Sequence, residues 1–370
     1  MCNEVTQSQR RPEQGPATSP KLPTLRIVMV NYRDYARKYL SRCMQSLRAQ
    51  NFAGAIRIDI VDNEASIETE DLIRSLAPEA RYIGIADNVG FAEACNIGLR
   101  GAIEDGDNYV MLLNMDAFLA PAALSRLVQY LNENGNVACC QPLLLQWPNG
   151  DRIDSAGNFI HLLGFGLCGQ HGALAKVSQS VPCAVGYCSG AAVVIRVSAL
   201  ERVGLLDDEM WMYCEDQDLG IRFRLSGWEN MVVPDAIAYH EHEFARTDAK
   251  LALIDANRWL FMLRNYKVLT IIALLPLLLT VDLGLLVGSL FLSQLNFKRR
   301  SISRLLSSPT LKALVRNRKS IQQLRQIRDR ALLPYLTHRI DYGGLNRLLI
   351  APIEMVCWFY RSLLWLAMWW

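Results

Sequence analysis

Leu25-Arg26-Ile27-Val28-Met29-Val30-Asn31-Tyr32-Arg33-Asp34 is an apolar run that breaks off into polar residues. Residues 25–30 read as a buried strand, the first of a series that decides the fold. Tyr35 to Ala49 reads as a helix, Ile56 to Val61 as a strand, Asp71 to Leu76 as a short helix and Tyr82 to Ile85 as a third strand. Ala92 to Ile103 is helical in pattern and Tyr109 to Leu113 is a fourth strand. Pro121 to Leu131 is a further helix, with proline in the first turn where it is favoured. This alternation predicts an α/β fold, a Rossmann-like, mostly parallel sheet with helices on both faces. Ligands of such sheets bind beyond the carboxyl ends of the strands.

The residues at those ends are Asn31-Tyr32-Arg33-Asp34, Asp62-Asn63-Glu64-Ala65-Ser66, Asp87-Asn88-Val89-Gly90-Phe91 and Asn114-Met115-Asp116. Neither Gly-x-Gly-x-x-Gly nor a Walker lysine comes after the first strand, which argues against a dinucleotide oxidoreductase or a phosphate-loop ATPase. Acids and amides with few glycines suit a ribose, a base edge and a metal-bridged diphosphate. Capping of neighbouring helices accounts for one or two such clusters, not for four.

Downstream, a loop-rich stretch from Trp147 to Pro182 precedes Gly190-Ala191-Ala192, small residues that let a ligand approach the backbone before an apolar strand. Residues 205–228 then carry Glu215, Asp216 and Asp218 ahead of Leu219, Phe223 and Leu225, the candidate buried face of a helix. Carboxylates at the positive end of a helix dipole stay ionised and serve as bases or ligands, or simply complete an amphipathic helix's first turn. His240 and His242 are candidates for a metal or phosphate contact or for a structural role. Cys168, His171, Cys183 and Cys188 supply zinc-ligand chemistry, but at irregular spacing.

Taken in order, Val30-Asn31-Tyr32-Arg33, the 61–66 and 88–98 motifs, Leu112-Leu113-Asn114-Met115-Asp116, Ser189-Gly190-Ala191-Ala192, residues 213–222 and His240 resemble the family 2 glycosyltransferases of the GT-A fold. The resemblance covers about residues 25–265 and is closest to the rhamnosyltransferase-like branch, which builds bacterial cell-surface polysaccharides. It implies an inverting transfer of a sugar, rhamnose by analogy, from a nucleotide-diphosphate donor to a glycan or lipid-linked acceptor. By position, Asn31 and Asp62 would hold the base and ribose, with Asn88, Gly90, Asn114, Gly190 and Ala191 shaping the donor pocket. Asp116 would ligate Mg2+ or Mn2+, His240 would make a further metal or diphosphate contact, and Asp216 would be the catalytic base. Asn114 and Met115 depart from the family's Asp and Pro, and Ser66-Ile67 from its Ser/Thr-Asp. A catalytically inactive nucleotide-sugar-binding scaffold is the alternative of a different class.

The 370 residues are 51% hydrophobic and 20% charged, enough for a large core, and the 10 cysteines lack a Cys-x-x-Cys pair, as in reduced cytosolic proteins. Residues 1–22 read as a disordered leader, 23–266 as the transferase domain and 267–370 as a helical appendage. The net charge of +3 conceals residues 298–340, where twelve Lys and Arg face Asp329 alone, a local net of +11. Val268 to Leu295 is 28 residues long with Asp282 its only charge, and residues 348–370 end in an aromatic-rich segment. The run exceeds the ~20 residues of a helical span, yet a single span conflicts with the positive-inside tendency. A re-entrant or in-plane arrangement on the cytoplasmic face of the inner membrane is expected, against the alternative of a buried helical hairpin. Nucleic acid is not an expected partner, because the basic block lies between two apolar segments. A chain ending near Asn265 is expected to be soluble.

Overall fold

The computed structural model describes residues 22–177, 181–241, 247–291, 295–340 and 347–370. The expected leader falls outside them save for its last residue, and His242 falls outside them too.

Strands β1 (Thr24–Asn31), β2 (Ala55–Asn63), β3 (Arg81–Ile85) and β4 (Tyr109–Leu113) pair in parallel in the order β3-β2-β1-β4. Register sets Asn31 beside Asp62 and Asp62 beside Gly84, so three strands end in line. After β5 (Ala117–Leu119) come β6 (Val137–Gln146), β7 (Ile153–Ser155), β8 (Asn158–His161), β9 (Gly166–Cys168), β10 (Cys183–Ala184), β11 (Ala192–Arg196) and β12 (Glu229–His240). The sheet continues from β4 through β11, β6 and β12 to β10, with β5 on β12 and β7 on β6. β11 runs antiparallel to both neighbours, and β6 and β12 return to the direction of β4. Six of the ten strands, β1–β4, β6 and β12, therefore run in one direction, and β5, β7, β10 and β11 run against it.

Both faces are covered. On one, Leu25, Ile27 and Met29 of β1 pack with α1 (Ser41–Arg48), which a π-helical turn over Ala36–Leu40 precedes. After α2 (Ile67–Leu76) comes α3 (Phe91–Glu104), which packs on the other face with Val28. A Cβ on Gly98 would sit 2.5 Å from both Val28 methyls, so only glycine lets α3 approach this closely. The next helix, α4 (Ala123–Glu133), starts later than expected. Pro121 instead occupies the second position of a turn closed by Ala123 N–H donating to Ala120 O, with Ala122 at φ 68°. Proline followed by a positive φ is the type II turn pattern. α2 begins earlier than expected because Ser66 caps it in a reciprocal box with Thr69.

Next in the chain are two helices, α5 (Val197–Val203) and α6 (Glu215–Leu225). α6 is not the amphipathic helix expected: every residue in it except Asp216 is buried. The stretch expected as loop, 147–182, contains β7, β8 and β9, and β8 also pairs with β13 (Leu336–Thr337) from the chain's far end.

The remaining helices are α7 (Asp248–Asn265), α8 (Val268–Phe291), α9 (Leu295–Leu305), α10 (Ser308–Leu324) and α11 (Arg347–Ala367). Their core is shared with the transferase domain: Leu274, Leu278, Leu332, Leu333 and Leu364 pack with Leu162, Ile221, Leu225, Leu260 and Phe261. The boundary expected at 266/267 is thus no break in packing. Asp282, the one charge of α8, receives two hydrogen bonds of 2.9 Å from Arg258 of α7 and one of 2.7 Å from Lys298 of α9. Among the described residues α8 and α11 are long and apolar enough to cross a membrane, and both expose most of their apolar side chains.

Candidate active site

The polar strand ends are wired to one another. Asn31 donates to Asp62 Oδ1 (2.6 Å) and accepts from Ala36 N–H. Asp62 Oδ2 accepts from the Thr69 hydroxyl (2.5 Å) and from Tyr82 (2.9 Å). Both Asn31 and Asp62 are wholly buried, beneath the part-exposed Thr69 and Tyr82. Asn63 bridges outward, donating to Asn88 Oδ1 and Gly90 O and accepting from Val89 N–H. Gly90, at φ 88°, sits against Trp211: a Cβ there would lie 2.5 Å from the indole. Asn114 N–H donates to Ala191 O (2.9 Å), which joins the fourth strand end to the small-residue segment.

That segment meets the acids. Gly190 N–H donates to Asp216 Oδ2 (3.0 Å) and Gln217 N–H to Asp216 Oδ1 (2.7 Å), so each carboxylate oxygen is held by a backbone donor. The loop before α6 is wound to make this possible, with Trp211, Tyr213 and Cys214 all at positive φ. Left-handed backbone at residues other than glycine costs about 1–3 kcal/mol each and persists where surroundings enforce it. Asn257 of α7 supplies that enforcement, its amide donating to the carbonyls of Met210, Met212 and Tyr213 at 2.8–2.9 Å.

The three acids of α6 separate by environment. Asp218 is fully buried and bonded to Arg222 (2.8 Å) and Asn265 (2.7 Å), while Arg222 caps the carbonyls of Val203, Gly204 and Leu205. Its role is to fasten α6 to α5 and α7. Glu215 is buried with Oε2 lacking any hydrogen bond, and burial together with the Asp216 charge pushes its carboxyl up to about 8. Asp216 keeps an opening to solvent; desolvation raises it as well, opposed by the two N–H donors. The environment therefore favours a proton on Glu215 and charge on Asp216.

Asp116, 4% exposed at the end of β4, faces His240 Nε2 of β12 at 3.3 Å. His240 Nδ1 lies 2.8 Å from Asp154 of β7. Burial opposes a charge on His240, but the two carboxylates prevail and raise its pKa to about 9. Among the described residues no three His, Cys, Asp or Glu side chains converge to hold a metal by themselves. Asp116 and His240 fit a divalent ion once the imidazole has given up its Nε2 proton, the ion taking its other ligands from phosphate oxygens and water. The cysteine set separates: Cys188 is buried against the carbonyls of Cys139 and Met231, and His171 lies on Asp154 O.

Asp154, Asn257, Thr69 and Tyr82 were not legible as site residues. Ser66-x-x-Thr69 was the one available signal, since a capping pair there places Thr69 over Asp62. Asp154 and Asn257 act across 86 and about 45 residues, which no local pattern reports.

With this geometry in place, residues 26–204 match the model of glycosyl transferase family 2. The chain is 25% identical over 232 residues to the N-acetylglucosaminyl-diphospho-decaprenol L-rhamnosyltransferase of Mycobacterium tuberculosis, covering 56% of this chain and 74% of that protein. It is 26% identical over 241 residues to rhamnosyltransferase WbbL of Escherichia coli (strain K12), covering 63% and 87%. Among solved structures it superposes on GalNAc-T7 bound to UDP, GalNAc and Mn2+ with a TM-score of 0.51 at 14% identity, over 66% of this chain. The chain spans about half the length of that solved protein, at 48%. The sheet and its helices are those of a GT-A glycosyltransferase. The match to glycosyl transferase family 2 covers just under half of the chain, and together with the two rhamnosyltransferase relatives it marks a glycosyltransferase similar to the rhamnosyltransferase-like kind.

Proposed function

We propose that this protein transfers a sugar, rhamnose, from a nucleotide-diphosphate donor to a hydroxyl of a glycan or lipid-linked acceptor, with inversion, at the cytoplasmic face of the inner membrane. The observation that carries the reading is Asp216, a part-exposed carboxylate fixed at both oxygens by N–H donors and adjoining the small-residue segment Gly190-Ala191. On the donor side Asn31 and Asp62 take the base and ribose, Asp62 by exchanging the bonds it now accepts from Thr69 and Tyr82. Asn88, Gly90 and Asn114 shape the wall, and Gly190 and Ala191 let the sugar lie against backbone.

In the reaction the acceptor oxygen attacks the anomeric carbon while the bond from that carbon to the diphosphate oxygen breaks. The acceptor's proton passes to Asp216 in the same step. Glu215, protonated beside it, withholds a second negative charge from the site. Mg2+ or Mn2+ bound by Asp116 and His240 would neutralise the departing diphosphate. The membrane assignment rests on the exposed apolar faces of α8 and α11 beside the basic helices.

Full-length protein in detergent, screened against a panel of nucleotide sugars for thermal stabilisation and turnover, tests the reading. One nucleotide sugar should stabilise it and be consumed, and both effects should weaken in chelator and in Asp116→Ala. Stabilisation without turnover across many acceptors would make the chain a binding scaffold instead.

A further inference from the structure

We propose that one face of α9 is a binding site for the phosphate headgroup of a membrane lipid. Asn296, Arg299, Arg300, Ser303 and Arg304, with Ser307 just beyond the helix, line an open cavity of about 550 Å3. They recur at intervals of three or four residues, which gathers them on a single helix face. Arg299 and Arg300 are exposed and make no hydrogen bond or ion pair among the described residues. No Asp or Glu occurs anywhere from residue 283 to residue 328, so nothing nearby in sequence can neutralise them.

The opposite face of the same helix behaves differently. There Lys298 is buried and bonded to Asp255 and Asp282. The fold thus pairs the cation it needs for packing and leaves two guanidinium groups open in a cavity. Guanidinium forks match phosphate oxygens in pairs, and the asparagine and serines add neutral donors.

The surroundings put that phosphate on a lipid. Ile302 of α9, Leu306 just after it, Leu311 and Val315 of α10 and Leu275, Leu279 and Leu283 of α8 are exposed. A free anion gains nothing from such surface, whereas a headgroup brings acyl or prenyl chains to cover it. The cavity also touches the loop of the candidate active site: Arg304 donates to Glu209 O, and Thr310 donates to the Glu209 carboxylate at 2.5 Å, two residues before Trp211. An occupied cavity therefore bears on the segment that leads to Asp216. The proposal stands whether or not the chain transfers a sugar, because its test reads binding alone.

The test is flotation of full-length protein with vesicles of phosphatidylcholine, alone or doped with phosphatidic acid. Phosphatidic acid should raise the bound-to-free ratio, and Arg299→Gln with Arg300→Gln should cut that gain by about tenfold or more. These side chains make no internal bonds, so the variant keeps the fold. Lys312→Gln with Lys319→Gln removes the same charge from exposed positions of α10 outside the cavity and should cut the gain no more than about threefold. Equal losses in the two double variants would reduce the effect to diffuse surface charge and overturn the site. Binding of inorganic pyrophosphate to the detergent-solubilised protein, abolished in the arginine variant and without any gain from phosphatidic acid, would overturn the lipid assignment in favour of a soluble anion.

Discussion

The two ends of the central sheet treat buried charge in opposite ways. At the amino ends of its strands Arg26 is 2% exposed yet bonded to Asp59 and Asp107, each at 2.8 Å, with Arg81 and Arg57 completing the set. The C-terminal helices obey the same rule, pairing Asp207 with Arg264, Asp255 and Asp282 with Arg258 and Lys298, and Asp329 with Arg325. At the carboxyl ends Asp62, Glu215 and Asp216 meet no Lys or Arg among the described residues, and Asp116 meets only a histidine. A carboxylate withdrawn from water without Lys or Arg beside it is costly, so a fold that supplies those cations elsewhere leaves these four for something it does not itself supply.

Removing the cations wholesale breaks the comparison most severely. A chain ending at Asn265 loses Lys298, which holds Asp255, and uncovers Leu260 and Phe261. It also loses Leu274, Leu278, Leu332, Leu333 and Leu364, each worth about 1.5–3 kcal/mol when fully buried. The solubility expected of such a chain from its sequence is therefore reversed. It should be recovered in aggregates or be cleaved within the former interface under limited proteolysis. A soluble, protease-resistant fragment would mean that the shared core contributes little.

Next in size is Asp216→Asn, which keeps shape and one of the two N–H···O contacts while removing basicity. Turnover should fall by about 10²- to 10⁴-fold with donor affinity retained. Asp218→Asn is the paired-acid control: it leaves Arg222 without its carboxylate and should lower the unfolding midpoint before it lowers rate. Loss of turnover in the second variant but not the first would put the base two positions downstream. Arg258→Met then tests the helices themselves. Arg258 is fully buried and its removal leaves Asp282 with Lys298 as its one cation, so it should destabilise by about 3–5 kcal/mol in denaturant titration. A change within error would show Asp282 to be hydrated in the folded protein.

These contrasts explain what the sequence could disclose. The four parallel strands were legible because a strand buried on both faces is a continuous apolar run, as Ile27 to Val30 is. The strand-end clusters were legible because a parallel sheet sends every carboxyl end to the same edge. What the acids meet was not legible: Asp154 reaches His240 across 86 residues, and Asp282 reaches Arg258 across 24. Periodicity was misleading for α6, whose polar residues other than Asp216 are buried like its apolar ones because Arg222, Arg224 and Asp218 all find partners inside. The same holds for Asp282: a charge in an apolar run looks like an obstacle to burial until its partners on two other helices are known.

The subtlest way to sharpen the comparison is through pH. Glu215 has no cation to hold it ionised, and burial beside Asp216 moves it from an ordinary 4.5 to about 8. Below the ordinary value the carboxyl is protonated in both folded and unfolded chains and contributes no slope. Between the two values the unfolded chain has released a proton that the folded chain retains. Stability therefore falls as pH rises, by up to about 1.4 kcal/mol per unit for that one proton. Above about 8 both states are ionised and the slope disappears. Glu215→Gln keeps the neutral form at every pH, so its stability relative to the unaltered protein should improve steadily across that window and level off beyond it. Chemical denaturation of both proteins in matched buffers measures the difference directly. Parallel curves would mean that Glu215 is ionised in the folded protein, and with its proton would go the division of labour that separates Glu215 from Asp216.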